Sequence, residues 1–278
     1  MSRLSRSQLR IALTPTSVVL VRTEGWLNPR VSGSQTFVVE PQPGARPWEA
    51  TVSALVRALP LFSKPGEPIT LVLSNHFCHY LMLPALPTLA SEEEDAAFAR
   101  HTFREIYGET MDGWTIRVSG DSPAQPRLAA AIDANLLLAL QRSVGEAKLK
   151  LRSVQPYLMA AFNAWHKELG RAPVWFALYE PGRLCISLCT HEGVRSVRAA
   201  PANDEWRIEL PMLMQREANL QVTDSGVQPD HCLVFHPSQP LAAQVRNMPG
   251  HLAALTLPEA RHDAGDSVQA LAMALIGV

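Results

Sequence analysis

The sequence contains few charged residues, and those that it has are spread along the chain. Charged residues make up 18% of the 278 positions, the formal net charge is −1, and no tract of basic residues occurs. Proteins that bind nucleic acid carry a clustered positive patch, because contacts to phosphate dominate that binding. We therefore expect no nucleic-acid partner.

Long apolar runs are absent as well. The apolar stretches are strand-sized and interrupted, well short of the ~20 residues that a membrane-spanning helix requires. The first six residues include two arginines, as a signal peptide would, but Pro15, Arg22 and Glu24 break the stretch that follows. We expect neither a signal peptide nor direct insertion into a membrane.

Motifs that carry catalysis are missing. The chain has no P-loop, no GxGxxG and no GxSxG sequence, so the phosphate-binding and nucleophile motifs of common enzymes are excluded. Cys78 and His79 are adjacent on a predicted strand and would point to opposite faces, which prevents them from acting as nucleophile and base. We predict no catalytic residue.

The cysteines do not indicate a metal site. None of the four is spaced as CxxC, and free thiols in a reducing compartment are expected. Cys185 and Cys189 would share one strand face about 13 Å apart, too far for a disulfide, and core packing is expected for both. A zinc site would require two distant strands to be neighbours. Its residues would come from His76, Cys78, His79, His231, Cys232 and His236.

What the sequence does contain is a pattern that occurs once in each half. Residues 9–39 are typical of three strands joined by tight turns, and residues 173–199 repeat that plan. Alternating strand and helix patterns follow each of them, which favours an α/β fold. The predicted helices span 47–60, 91–107, 157–168, 204–220, 239–247 and 266–276, and a further helix after Asp133 carries Leu136, Leu137, Leu140 and Val144.

Two helix starts have recognisable caps. Ser91 and Glu94 form a capping box ahead of a helix whose apolar face is predicted to hold Ala96, Ala99, Phe103 and Ile106. Asp133 is expected to cap the helix that follows it. Gly170 to Pro173 is the best candidate for a domain boundary, because glycine and proline interrupt both helix and strand there.

These elements together resemble the PilM-like assembly proteins of type IV pili and the cytoplasmic domain of GspL in type II secretion. The resemblance lies in the opening meander, in Ile69–Pro84 with the helix Ser91–Tyr107, in Ala129–Trp165, and in the closing Ala272–Gly277 helix. It implies a two-domain actin-like (ribonuclease H-like) α/β fold. The first domain would span 1–170 with an inserted subdomain at about 69–155, and the second would span 171–278 with the C-terminal helix.

The sequence departs from the actin-like ATPase superfamily where that superfamily binds ATP. Thr14 stands at the acidic position of the first phosphate loop, and Pro15 removes an amide donor, which leaves Thr16 and Ser17 as hydroxyls. The second loop keeps Glu180 and Gly182 around Pro181. Segment 234–242, where a glycine-rich adenosine loop is expected, contains no glycine. We expect these degenerate phosphate loops to bind no nucleotide tightly.

The resemblance implies a function as well. It predicts a non-catalytic scaffold, cytoplasmic and peripherally associated with the inner membrane, which binds the N-terminal cytoplasmic tail of a bitopic PilN-like protein. No cofactor is expected. The alternative is a functional ATPase or a sugar-kinase-like phosphotransferase, which would bind ATP and Mg²⁺. The resemblance leaves homo-oligomerisation open.

Overall fold

A computed structural model describes most of the chain. It covers residues 7–25, 30–88, 91–120, 122–167, 169, 172–190, 193–203, 205–221, 231–235, 251–255 and 267–276. The helix predicted at 239–247, most of the 234–242 segment and part of the predicted boundary at 170–173 lie outside these residues.

The first meander forms part of a five-stranded sheet in the described residues. Strands β1 (Ser7–Leu13), β2 (Ser17–Glu24) and β3 (Arg30–Val38) pair antiparallel in sequence order, while β4 (Pro68–Leu73) and β8 (Lys150–Pro156) extend the sheet in parallel beyond β1. The resulting order is β3-β2-β1-β4-β8. Most residues of β1 and β2 are buried, as expected for strands that are covered on both faces.

The second meander forms a sheet with the same connectivity. Strands β9 (Val174–Glu180), β10 (Arg183–Thr190) and β11 (Gly193–Pro201) pair antiparallel, and β12 (His231–Phe235) and β13 (His251–Leu255) follow in parallel beyond β9. Its order, β11-β10-β9-β12-β13, matches that of the first sheet strand for strand. The repeated architecture predicted from the two meanders is therefore confirmed.

A smaller sheet lies between β4 and β8 in the sequence. It contains β5 (Cys78–Leu83), β6 (Trp114–Val118) and β7 (Arg127–Asp133) in the order β5-β7-β6. Helix α2 (Glu92–Tyr107) packs with this sheet, and Ala99 and Phe103 belong to the shared core. The side chain of Ser91 accepts a hydrogen bond from the Glu94 amide, which confirms the predicted cap.

The other helices are α1 (Glu49–Phe62), α3 (Ala134–Glu146), α4 (Tyr157–Trp165), α5 (Trp206–Gln221) and α6 (Ser267–Leu275). Asp133 caps α3 as predicted, because its carboxylate accepts a hydrogen bond from the Asn135 amide. Helix α5 packs on the second sheet through a row of residues spaced one turn apart, and Pro211 lies within the helix and does not end it. That row consists of Trp206, Leu210, Met214 and Ala218.

The compact units differ from the predicted domains. The described parts of 1–78, 133–164 and 257–278 form one unit, and those of 79–132 and 165–256 form another. The inserted segment is narrower than the predicted 69–155, because β4 and β8 at its two ends are strands of the first sheet. The C-terminal helix was assigned to the second domain, and this was wrong: α6 packs on β1 and β2.

Arg10 explains why α6 lies on the first sheet. Its buried guanidinium donates hydrogen bonds to the carbonyl oxygens of Ala274, at 2.7 Å, and Ile276. The last carbonyls of a helix have no partner within the helix, and a cation near them is favoured by the helix dipole. Arg10 therefore joins the first strand of the chain to the end of its last helix.

Replacing Arg10 with methionine is expected to lower the free energy of unfolding by about 3 kcal/mol, because buried carbonyls lose a charged donor. Urea unfolding followed by circular dichroism measures this loss. Arg57→Met is the matched control, since Arg57 is exposed on α1. Equal stability of the two variants would contradict a stabilising role for the Arg10 contacts.

Candidate functional site

The turn between β1 and β2 holds three of the predicted phosphate-loop residues, Thr14, Thr16 and Ser17. The Thr14 hydroxyl oxygen accepts hydrogen bonds from the amides of Ser17, at 2.9 Å, and Thr16, at 3.3 Å. It also lies 2.8 Å from the Ser17 hydroxyl. A threonine side chain that bonds the backbone two and three residues ahead forms a compact local turn.

No amide of this turn remains for a phosphate. The Thr14 amide donates to the Ser17 carbonyl at 2.9 Å, Pro15 has no amide hydrogen, and the amides of Thr16 and Ser17 are directed at the Thr14 hydroxyl. Loops that bind phosphate do so by pointing free backbone amides at the anion. The Thr14 side chain therefore satisfies the amide donors of its own turn.

The turn between β9 and β10 holds the other two predicted residues, Glu180 and Gly182. Gly182 has a φ of +80°, which the third position of a type II turn requires and which glycine adopts without strain. Pro181 has no amide to donate. Glu180 is buried and interacts with another group of the protein. This turn is an ordinary hairpin connection in its geometry.

The residues of the two turns do not fit a nucleotide with its metal ion. Mg²⁺ is bound through carboxylates and water together with the phosphates, and Glu180 is the one carboxylate that the two turns contain. Within the described residues, no group of three or more His, Cys, Asp and Glu side chains is arranged to hold a metal. The structure brings together Thr14, Thr16 and Ser17 in one turn and Glu180 and Gly182 in another.

The four cysteines are buried free thiols, as predicted. Burial raises the pKa of Cys189 and Cys232 to about 12, so both stay protonated and unreactive at neutral pH. The strands that a zinc site would need, β5 and β12, belong to different sheets.

The inserted segment carries a cluster of aromatic rings that the sequence analysis did not identify. His79 stacks on Trp114 with ring centroids 3.9 Å apart, and Tyr107 meets both rings edge-on at 5.1 Å. All three side chains are half-buried. Burial, together with the positive charge of Arg183, lowers the pKa of His79 to about 4, so the imidazole is neutral at physiological pH and packs as an aromatic ring.

An ion pair holds α2 to this sheet. Arg127 on β7 donates to both carboxylate oxygens of Asp95, one of them at 2.7 Å. These hydrogen bonds lower the pKa of Asp95 and raise that of Arg127. A two-point contact between a guanidinium and a carboxylate is geometrically specific, so the first turn of α2 is fixed relative to β7.

No protein-family model and no curated protein matches the sequence. Solved structures do match. A chain of the PilM–PilN type IV pilus biogenesis complex has a TM-score of 0.59 and 11% identity over 82% of this chain and 80% of that one. The cytoplasmic domain of EpsL, an inner-membrane component of the type II secretion system of Vibrio cholerae, has a TM-score of 0.57 and 11% identity over 97% and 94%.

A third match names the fold. It is a Bacteroides thetaiotaomicron protein with an actin-like ATPase fold, with a TM-score of 0.53 and 11% identity over 85% of this chain and 83% of that one. The chain has the actin-like ATPase fold. The predicted actin-like α/β fold is thereby confirmed, whereas similarity at this identity does not transfer an activity.

The actin-like fold of this chain therefore combines two intact sheets with altered hairpin turns. None of the described helices has the length and apolar character needed to span a membrane.

The Thr14 network has a measurable contribution to stability. Thr14→Val removes the hydroxyl while keeping the side-chain shape, so two backbone amides lose their acceptor and the free energy of unfolding should fall by about 1–2 kcal/mol. Thr16→Val is the control, because the Thr16 side chain is exposed in the same turn. Urea unfolding of both variants makes the comparison, and an equal effect would contradict the proposed organisation of the turn.

Proposed function

We propose that this chain is a non-catalytic scaffold of a type IV pilus or type II secretion platform. In this function it binds the N-terminal cytoplasmic tail of a bitopic, PilN-like inner-membrane protein. That contact holds it at the cytoplasmic face of the inner membrane. The alternative is a functional ATPase or phosphotransferase with the same fold.

The observation that carries the non-catalytic part of this proposal is the first hairpin turn. Thr14 satisfies with its own hydroxyl the amides of Thr16 and Ser17, and Pro15 contributes none. Binding is the role that remains when a phosphate can no longer be held there. The scaffold part is supported by the PilM–PilN complex and the EpsL cytoplasmic domain among the structural neighbours.

The partner is expected to dock as a short segment. Tails of this kind bind by strand addition or by placing apolar anchors against a groove. Within the predicted 69–155 insertion, our proposed face is the part that forms the small sheet β5–β7 with helix α2, residues 79–132, and this part does not include α3. One large apolar side chain that this segment exposes is Ile106 on α2. A charged side chain at position 106 would weaken the binding of an apolar anchor residue of the partner. The core would be unaffected, because this position is exposed.

The two candidate functions differ in nucleotide binding. A scaffold with these turns is expected to bind ATP and Mg²⁺ with a Kd weaker than about 1 mM, which corresponds to about −4 kcal/mol. Isothermal titration calorimetry at neutral pH measures this, with a known actin-like ATPase as the positive control. A Kd near 1 μM, about −8 kcal/mol, would favour the enzyme and contradict the scaffold.

Docking can be tested by fractionation. The protein is expected to sediment with membranes when the candidate partner is co-expressed and to stay in the supernatant when the partner lacks its cytoplasmic tail. A partner with a scrambled tail serves as the control for tail length and composition. Unchanged membrane association after deletion of the tail would reject this route.

The docking face has a matched pair of variants. Ile106→Glu on α2 should reduce co-sedimentation about tenfold, because a charge replaces an apolar contact at the interface. Leu138→Glu on α3 should leave it unchanged, and the two side chains are equally exposed, at 59% and 60%. If Leu138→Glu reduces the association and Ile106→Glu does not, the inserted segment is not the docking face.

A further inference from the structure

Helix α5 has an apolar stripe on its exposed side in addition to the row that it buries. Ile208 and Met212 lie one turn apart and expose 70% and 72% of their surface. Single exposed apolar residues are common on protein surfaces. Two large ones one turn apart on one helix face, opposite a row that is already packed on the sheet, are typical of a helix that packs on a second element.

Charges of opposite sign lie at the two ends of this stripe. Glu205 precedes Ile208 by one turn, and Arg216 follows Met212 by one turn. At 100° per residue, both fall on the same flank of the stripe, within about 20° of each other. Neither side chain forms an ion pair among the described residues. The exposed face of α5 therefore reads acidic, apolar, apolar, basic along the chain.

We propose that two copies of this chain associate through α5, with the two helices packed antiparallel about a two-fold axis. In this arrangement Ile208 of each copy contacts Met212 of the other. A two-fold axis perpendicular to the helix pair keeps each residue on its own flank, so Glu205 meets Arg216 of the second copy at both ends. In a parallel pair related by a two-fold axis along the helices, the charged flanks of the two copies lie on opposite sides of the contact, so neither Glu205 nor Arg216 would meet its opposite charge on the second copy.

The Glu205–Arg216 contact at each end therefore favours a second copy of the chain as the partner and the antiparallel orientation. A self-complementary face of this kind is what a two-fold interface requires, because one surface patch must match itself after rotation. The contact spans about three helical turns, roughly 16 Å. A contact of this length along one helix buries less than the ~800 Å² per partner of a standard interface, so the association is weak and depends on protein concentration.

Sedimentation equilibrium of the isolated full chain over about a hundredfold concentration range tests the proposal. We expect a reversible monomer–dimer equilibrium. Ile208→Glu and Met212→Glu should each raise the dimer Kd by about tenfold or more, because each places a charge in the apolar contact. Leu138→Glu, at an equally exposed position on α3, should leave the Kd unchanged.

Charge exchange tests the orientation. Glu205→Arg and Arg216→Glu should each weaken the dimer, since each creates like-charge contacts at both ends, and the double variant should restore it. All of these positions are exposed, and thermal melts confirm that each variant is folded. A wild-type chain that stays monomeric, a dimer that Ile208→Glu leaves intact, or a double variant that fails to recover would overturn the proposal. No membrane partner is present in these measurements, so the result is independent of the proposed docking function.

Discussion

Strands β1 and β9 form backbone hydrogen bonds along both of their edges, and the rest of each sheet depends on this pairing. Each has an antiparallel hairpin partner on one side and a parallel strand on the other. A strand with both edges paired is central in its sheet, which explains why β9 is buried along its whole length. The two hairpin turns then emerge at the carboxyl ends of the central strands, which is where open α/β sheets place their ligands.

This arrangement separates the requirements of the fold from those of phosphate chemistry. The fold depends on the apolar residues of the strands and on backbone pairing, and both sheets retain them. Phosphate binding depends on a few amides and carboxylates in the turns. In the first turn the amides are bonded within the turn or replaced by Pro15, while the adjoining strand keeps its pairing, since Ser74 donates to the Leu13 carbonyl at 2.9 Å. The residues of the turn can therefore change without loss of the sheet.

Features encoded by neighbouring residues were the ones that the sequence predicted well. The two meanders, the Ser91 cap, the Asp133 cap and the glycine of the second turn all depend on residues within a few positions of one another. The face of α2 was predicted less well. Ala96 and Ile106 were expected to be inward, but both are exposed, and Phe98 and Tyr107 pack on the core in their place. The helical spacing of apolar residues did not determine which of two adjacent faces of α2 is buried. Packing on the small sheet decides this.

Contacts between residues that are far apart in the chain could not be predicted from the sequence. Arg10 reaches carbonyls 264 and 266 positions away, and the rings of His79, Tyr107 and Trp114 meet only after three separate elements have packed. The exposure of Ile208 and Met212 on α5 could not be predicted for the same reason. The helix is apolar on two sides, and its sequence does not determine which side packs on the sheet.

Sequence alone determined the class of fold, the repeated halves and the absence of an acidic residue from the first hairpin turn, because these follow from local periodicity and from the identity of single turn residues. Tertiary structure alone decided that α6 packs on the first sheet, that the Thr14 hydroxyl takes the amides of its own turn, and that Ile208 and Met212 remain exposed. Those outcomes depend on which surfaces become neighbours once the chain is folded, and the burial of one apolar face against another is not specified by either face alone.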